Sequence, residues 1–430
     1  MIADLVPACP AVSYPQIMPR QPKPSNSIRA GSSSARPSSA RPAGMGPDSF
    51  GELALLRRIR LRAAHAQSPE LQLGIGDDCA ILRPAPGEEL AVTTDLSIAG
   101  RHFRLDWHPA ESVGHRALAR GLSDLAAMGA RPVAAFLSLA LPKDLVQRVK
   151  GREPRSASAA PRSAARRSAP APFIDRFLDG LFALAQLHQL PLAGGDLAES
   201  PLAVADVILT GAVMQGKALL RSGAHPGDLI YVTGQLGAAA VGLEHLTALA
   251  AALKRERSRK KSSSLPPIPP RLKALLNRHL YPTPRVAQGL WLSRSALATA
   301  AIDLSDGLST DLAHLCAESG VAAELYADAL PFAAAATPAQ VLNGGEDYEL
   351  LFTAPPAARV PSSIEGVPVT QIGRIVAESK AAARKGATDN KTARKNAARS
   401  GIGQSTASPI TLITTKGAFP LTPQGWQHFS

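Results

Sequence analysis

Hydrophobic and polar positions change period repeatedly along this chain. Residues 90–94 read as an apolar strand running into Asp95, and 109–128 as a helix. Strand patterns follow at 132–141, 202–214, 229–233, 300–304, 321–326 and 348–353, with a shorter strand-like run at 190–193. Helical periodicity fills 173–188, 236–253 and 308–319. Alternation of this kind predicts α/β layers. No internal repeat stands out. No uninterrupted apolar run reaches the ~18 residues of a membrane span, so none is expected.

Four stretches break the pattern. Residues 1–48 are rich in Ser, Pro, Ala and Arg and lack periodicity, which predicts a disordered tail. Met45 lies just before the first patterned segment and is a candidate translation start. Residues 149–172, 254–270 and 377–408 share this composition and read as surface-loop inserts, which cost little stability for their length. They also explain the charge. Of the net +13, the basic segments within these four stretches carry +18, leaving −5 for the patterned body. The basic balance therefore gives no case for nucleic-acid binding by the body, and the inserts lack the aromatic residues that would stack on bases. Three cysteines, Cys9, Cys79 and Cys316, argue against a disulfide framework and for a reducing cytoplasm. Residues 1–10 have no basic region ahead of their apolar residues, so no secretory leader is expected.

The candidate chemistry lies in short acidic motifs rich in glycine and small residues. They are Gly74 to Asp78, Thr93-Thr94-Asp95, Leu122 to Leu125 around Asp124, Gly194-Gly195-Asp196, Asp303 to Gly307 with Ser305 and Asp306, and Gly344 to Asp347 around Glu346. Glycine lets a ligand approach the backbone closely. Converging carboxylates repel one another unless cations hold them, and hard cations with oxygen ligands, with phosphates on those cations, are the natural filling. In the predicted 109–128 helix, Asp124 falls in the middle of the stripe of Val113, Ala117, Gly121 and Met128, where a charge needs a partner, a metal or a backbone to cap. Asp95 ends a strand, as ligand-lining carboxylates do in α/β folds, or as a turn residue does. Ser305 or Asp306 would cap the helix starting near Leu308, and such an N-terminus is also a phosphate site. Arg221 could pair with a phosphate, and Gly194-Gly195 could bring backbone N–H groups to one. No Walker lysine motif, serine–histidine–acid set or zinc spacing is present.

Taken together and in order, these motifs resemble the thiamine-monophosphate kinase family, from about Phe50 to Phe429. Leu-Gly-Ile-Gly-Asp-Asp-Cys-Ala, Ala-Ile-Asp-Leu-Ser-Asp-Gly-Leu and Asn-Gly-Gly-Glu-Asp-Tyr-Glu-Leu carry it, with Gly-Arg-His-Phe around His102 and Arg-Ser-Gly-Ala after Arg221. The resemblance implies a two-domain PurM-like α/β (α+β) fold shared with aminoimidazole ribonucleotide synthetase and selenophosphate synthetase. It implies a tail at 1–48, an N-terminal ATP- and magnesium-binding domain at 49–216 whose mixed sheet pairs in a homodimer, and a C-terminal α/β domain at 217–430. It implies that Asp78, Thr93, Thr94, Asp95, Asp124, Asp196, Asp303 and Asp306 ligate several Mg2+ ions. Gly195, Asp196, Arg221 and Ser305 would contact ATP, and His102, Glu346 and Trp426 would contact thiamine monophosphate. The family's adenine contact falls near 145–175, where the insert obscures it.

The implied reaction is transfer of a phosphoryl group from ATP to a substrate phosphate that is already largely dianionic at neutral pH, so no general base is needed. A sister synthetase is the alternative. Against it, Cys79 sits in the kinase-like motif, and neither the reactive Cys/Lys pair of selenophosphate synthetases nor a C-terminal cysteine motif is present.

Overall fold

The computed structural model describes residues 52–63, 66–147, 171–258, 269–378 and 408–426. The expected tail and most of the three basic inserts lie outside these residues. In the N-terminal half, helix α1 (Glu52–Ala63) precedes a small pair of strands, β1 (Leu71–Leu73) and β2 (Ile81–Leu82). Then come β3 (Glu88–Ile98), α2 (Ala110–Ala127), β4 (Arg131–Leu141), the short α3 (Lys143–Val146), α4 (Phe173–Leu187), β5 (Leu192–Glu199) and β6 (Val204–Met214). Four of these strands form a mixed sheet in the order β3-β6-β4-β5, with β4 and β5 parallel and the other pairs antiparallel.

The C-terminal half runs β7 (Leu229–Thr233), α5 (Ala238–Ser258), α6 (Pro270–Leu280), α7 (Val286–Ser295), β8 (Ala300–Asp303), α8 (Leu308–Ser319), β9 (Val321–Tyr326), α9 (Pro338–Asn343) and β10 (Leu350–Ala354). It closes with β11 (Ser363–Ile364), β12 (Val367–Ala377), β13 (Ile410–Thr414) and β14 (Gly417–Pro420). Its sheet is ordered β14-β13-β9-β12-β7-β10-β8, with β11 on β12. The fold is two-domain α/β, as expected.

Helix α2 is the central beam. Fifteen of its eighteen residues are buried, because α4 covers one side, the four-stranded sheet another and α7 a third. Two glycines permit the α2–α4 approach. A Cβ on Gly180 would stand 1.8 Å from the Glu111 carbonyl oxygen, and one on Gly114 1.9 Å from that of Phe177. The apolar stripe read from the sequence is therefore too narrow a description. Arg120, Asp124 and Met128 are the partly exposed positions of the last two turns, and they mark where the packing opens.

Three local expectations are corrected. Asp95 does not end its strand, because β3 runs on to Ile98 and stays paired with β6 throughout. Gly194-Gly195-Asp196 lies inside β5 rather than after it. Gly195, at φ +144, sits where a Cβ would meet the Leu137 carbonyl at 1.9 Å, so the strand continues only because the residue is glycine. Neither Ser305 nor Asp306 caps α8. The N-cap is Gly307, and the Asp311 carboxylate accepts from the backbone N–H groups of Asp306 and Gly307, at 3.1 and 3.0 Å.

Candidate active site

Strand register decides which acidic residues meet. Asp95 pairs across the sheet with Val207, Leu137 and Gly195 in one row, and Thr93 lies two residues away on the same face. That face is covered by α2, and Val207 and Leu137 are buried in it. The neighbouring row, Leu96, Asp206, Ser138 and Asp196, points the other way, as does Thr94, whose hydroxyl donates to Asp206 Oδ1 at 2.8 Å. So Thr93 and Asp95 face inward, whereas Thr94 and Asp196 face outward. Gly195 and Asp196 also lie three strand spacings from β3, about 14 Å.

On the inner side, the Thr93 hydroxyl donates to Asp124 Oδ2 in a short hydrogen bond. Arg120 pairs with Asp95 Oδ1 at 3.1 Å, and Ser123 donates to Asp303 Oδ2 at 2.7 Å. These contacts join β3, α2 and the end of β8. Burial pushes all three carboxyls up to about 6. Neighbouring carboxylates add to the rise: Asp124 acts on Asp95, Asp303 on Asp124, and Asp95 on Asp303. Arg120 opposes the rise at Asp95, and Arg221 opposes it at Asp124 and Asp303, which places Arg221 within electrostatic reach of this cluster.

The cluster forms one end of a cavity of about 590 Å³. Ser305 and Asp306 line it too, as do His102, Glu346 and Trp426. Glu346 sits on a loop folded against the Ser305 turn, its N–H donating to the Ser305 carbonyl at 2.8 Å, with its backbone in the left-handed region at φ +66. A non-glycine residue held there is the kind of strain found at ligand-binding loops. Arg116 pairs with Glu346 Oε1 at 2.5 Å, and His279 Nδ1 lies 3.1 Å from Oε2. Burial alone would raise the Glu346 carboxyl, but Arg116 and the His279 hydrogen bond outweigh it and hold the group ionised. His102 accepts the Ile98 N–H at Nδ1, 3.1 Å, which leaves Nε2 to carry the proton. The Trp426 backbone N–H donates to the Asp306 carbonyl at 3.0 Å, and the Arg101 guanidinium lies 4.5 Å from the Trp426 ring centroid. Asp347, next to Glu346, turns away and accepts from Gly237 and Ala239 at the start of α5.

Asp78, Gly195 and Asp196 line a different cavity, of about 720 Å³, between α1, the loop after β1, and β5. Its walls are largely apolar, with Leu56, Ile59, Phe136 and Leu192 among them, and Arg57 and Arg60 also line it. The acidic motifs thus divide between two cavities. Arg116, Arg120 and His279 belong to none of the acidic motifs. The first two recur with Asp124 every four residues along α2, a charged row that apolar periodicity does not reveal. His279 belongs to α6, which follows directly on a basic insert.

Among the described residues, no three His, Cys, Asp or Glu side chains form a ready-made metal cage. Mg2+ does not require one, since it keeps several waters and commonly takes one or two carboxylates together with phosphate oxygens. Asp95 Oδ2 is buried without a hydrogen-bond partner beside two further carboxylates, and such an oxygen suits a hard cation.

Residues 76–217 match the model of the AIR synthase related protein N-terminal domain, and 225–385 that of the C-terminal domain. The two domain matches, with the two-domain α/β fold, make this an AIR synthase related protein. Thiamine-monophosphate kinase of Salmonella typhimurium is 37% identical over 342 residues, spanning 76% of this chain and 91% of that protein. The crystal structure of thiamine-monophosphate kinase from Stenotrophomonas maltophilia is also 37% identical, with a TM-score of 0.59, covering 77% of this chain and 95% of that one. AaThiL complexed with AMPPCP and TMP is 27% identical, with a TM-score of 0.58, covering 88% and 97%. The chain belongs to the thiamine-monophosphate kinase family.

Proposed function

We propose that the protein phosphorylates thiamine monophosphate to the diphosphate with ATP, by direct transfer assisted by several Mg2+ ions. The observation that carries this reading is the make-up of the 590 Å³ cavity: partnered carboxylates at Asp95, Asp124 and Asp303 at one end, and a fixed carboxylate, a histidine and a tryptophan at the other. Its support from likeness is the family, and a relative of similar fold whose complex holds AMPPCP and TMP.

In this reading Asp95, Asp124, Asp303 and Asp306, with Thr93, would hold magnesium at the inner face, Asp78 and Asp196 would do so at the second cavity, and Thr94 would act apart from both, beside Asp206 on the outer face of β3. Bound there, Mg2+ would cancel repulsion between the two phosphates and offset charge on the group in transfer. Arg221 and Ser305 would contact ATP at the inner face, and Gly195 and Asp196, the other two expected ATP contacts, would do so from the second cavity. Glu346, kept anionic by Arg116 and His279, would meet the cationic or N–H-bearing part of the thiamine skeleton, with His102 and Trp426 beside it. The chain's own contribution is alignment: α2 carries Arg116, Arg120 and Asp124 on one row, so both ends of the cavity share a rigid element.

A homodimer completes the proposal. The outward face of the edge strand β3 carries Leu90, Val92 and Leu96 at 39, 65 and 46% exposure, where a solvated sheet face should be polar. Pairing of two such faces would cover them.

The test is to incubate the protein with ATP, Mg2+ and thiamine monophosphate and measure thiamine diphosphate. No diphosphate from folded protein would overturn the activity. A phosphorylated protein trapped by acid quench would overturn direct transfer.

A further inference from the structure

Arg120 occupies an unusual position. It lies one helical turn after Arg116, which holds Glu346, and one turn before Asp124. Its guanidinium reaches Asp95 Oδ1 at 3.1 Å and the Leu96 carbonyl at 3.4 Å. It lines the same cavity as Asp124, Asp303 and Glu346, and its charge is felt at both Asp95 and Glu346. It therefore stands between the end assigned to cations and the end assigned to the substrate.

The contact with Asp95 is one-sided. Only one carboxylate oxygen is engaged, and Oδ2 is left buried and unpartnered. An arginine matched to its carboxylate forms two parallel hydrogen bonds, and the same fork binds phosphate equally well. A single bond in a cavity open to ligand is an exchangeable one.

We propose that Arg120 is a resident counter-ion, standing beside Asp95 in the place a divalent cation would take. Entry of the cation at Asp95 displaces the guanidinium, and the freed fork becomes a ligand for a phosphate in the same cavity. Cation and phosphate then bind with positive coupling, because each removes a competitor or supplies a partner for the other. The proposal rests on the reading that these carboxylates bind divalent ions.

The experiment measures Mn2+ binding by electron paramagnetic resonance of the free ion, for the wild type, R120Q and R120M, with and without AMPPCP. Without nucleotide, both variants should bind Mn2+ about tenfold more tightly than wild type, the scale of one lost charge-assisted competitor. The tightening of Mn2+ binding by AMPPCP should shrink by a similar factor. Mn2+ affinity within about twofold of wild type in a folded variant overturns the counter-ion role while leaving the cation reading standing. Absence of Mn2+ binding in every protein, with and without AMPPCP, overturns both. Should neither variant fold, arginine Nε resonances of the wild type decide. A shift of the Arg120 resonance on adding Mg2+, assigned through R120K, supports the exchange, and no shift overturns it.

Discussion

Asp124 is a partly exposed carboxylate on a helix of which fifteen of eighteen residues are buried. Its place on a helix with apolar neighbours signalled a charge that needs a partner. The partners, the Thr93 hydroxyl and the opposing fields of Asp303 and Arg221, come from β3, β8 and the segment before β7. Asp124→Asn keeps the shape and removes the charge. Turnover should fall about a hundredfold or more, the order expected for loss of a group that stabilises developing charge. The melting temperature should hold or rise, because burial already disfavours the charged form. A folded variant with near-normal turnover would remove Asp124 from the site. The raised carboxyls of Asp95, Asp124 and Asp303 set a pH dependence as well. With folded values near 6, above those of the unfolded chain, their contribution to the stability of the metal-free protein is fully present below about pH 4 and lost as pH rises through about 6. Cation binding requires the ionised forms, so it should strengthen over the same interval and release protons. Calorimetry of Mg2+ binding in buffers of different ionisation enthalpy should report that release at pH 6, and a buffer-independent heat would contradict it.

At the scale of elements, α2 and β3 do most of the positioning. The strand patterns at 132–141, 229–233 and 321–326 correspond closely to β4, β7 and β9, and helical periodicity located α2, α4 and α8. These elements are long enough, or apolar enough, for local pattern to dominate. Helices α1, α3, α6, α7 and α9 have no counterpart among the periodic segments. Several carry polar or basic faces, and α6 begins at the edge of a low-complexity segment. Gly180 illustrates a constraint that pattern does not express. In an isolated helix, Ala in place of Gly would gain about 1 kcal/mol of propensity. Here the added Cβ would stand 1.8 Å from the Glu111 carbonyl, deep inside contact distance, so α2 and α4 must part. We expect Gly180→Ala to destabilise by about 1–3 kcal/mol net in urea unfolding, because overpacking outweighs propensity. A stabilised variant would mean that the crossing is looser than this distance implies.

For the whole molecule, the outward face of β3 gives the clearest prediction. Val92→Asp places a charge at the most exposed of its apolar positions and should shift a dimer to monomers in sedimentation velocity without unfolding the chain. An unaltered sedimentation coefficient corresponding to a dimer would place the contact elsewhere. Among the described residues, no helix is long and apolar enough to cross a membrane. By itself the sequence determined the alternation of layers, the segregation of positive charge into low-complexity stretches, and the identity of the acidic motifs. Each of these is written in local composition or period. Tertiary structure decided which motifs share a cavity. The pleat turns Thr93 and Asp95 inward and Thr94 and Asp196 outward, and sheet order separates β3 from β5. Arg116 and Arg120 gain their roles only when α2 meets β3 and the Glu346 loop. The physical reason is that a carboxylate's pairing and ionisation depend on what the fold brings within a few ångströms, and neighbours in space are not neighbours in the chain.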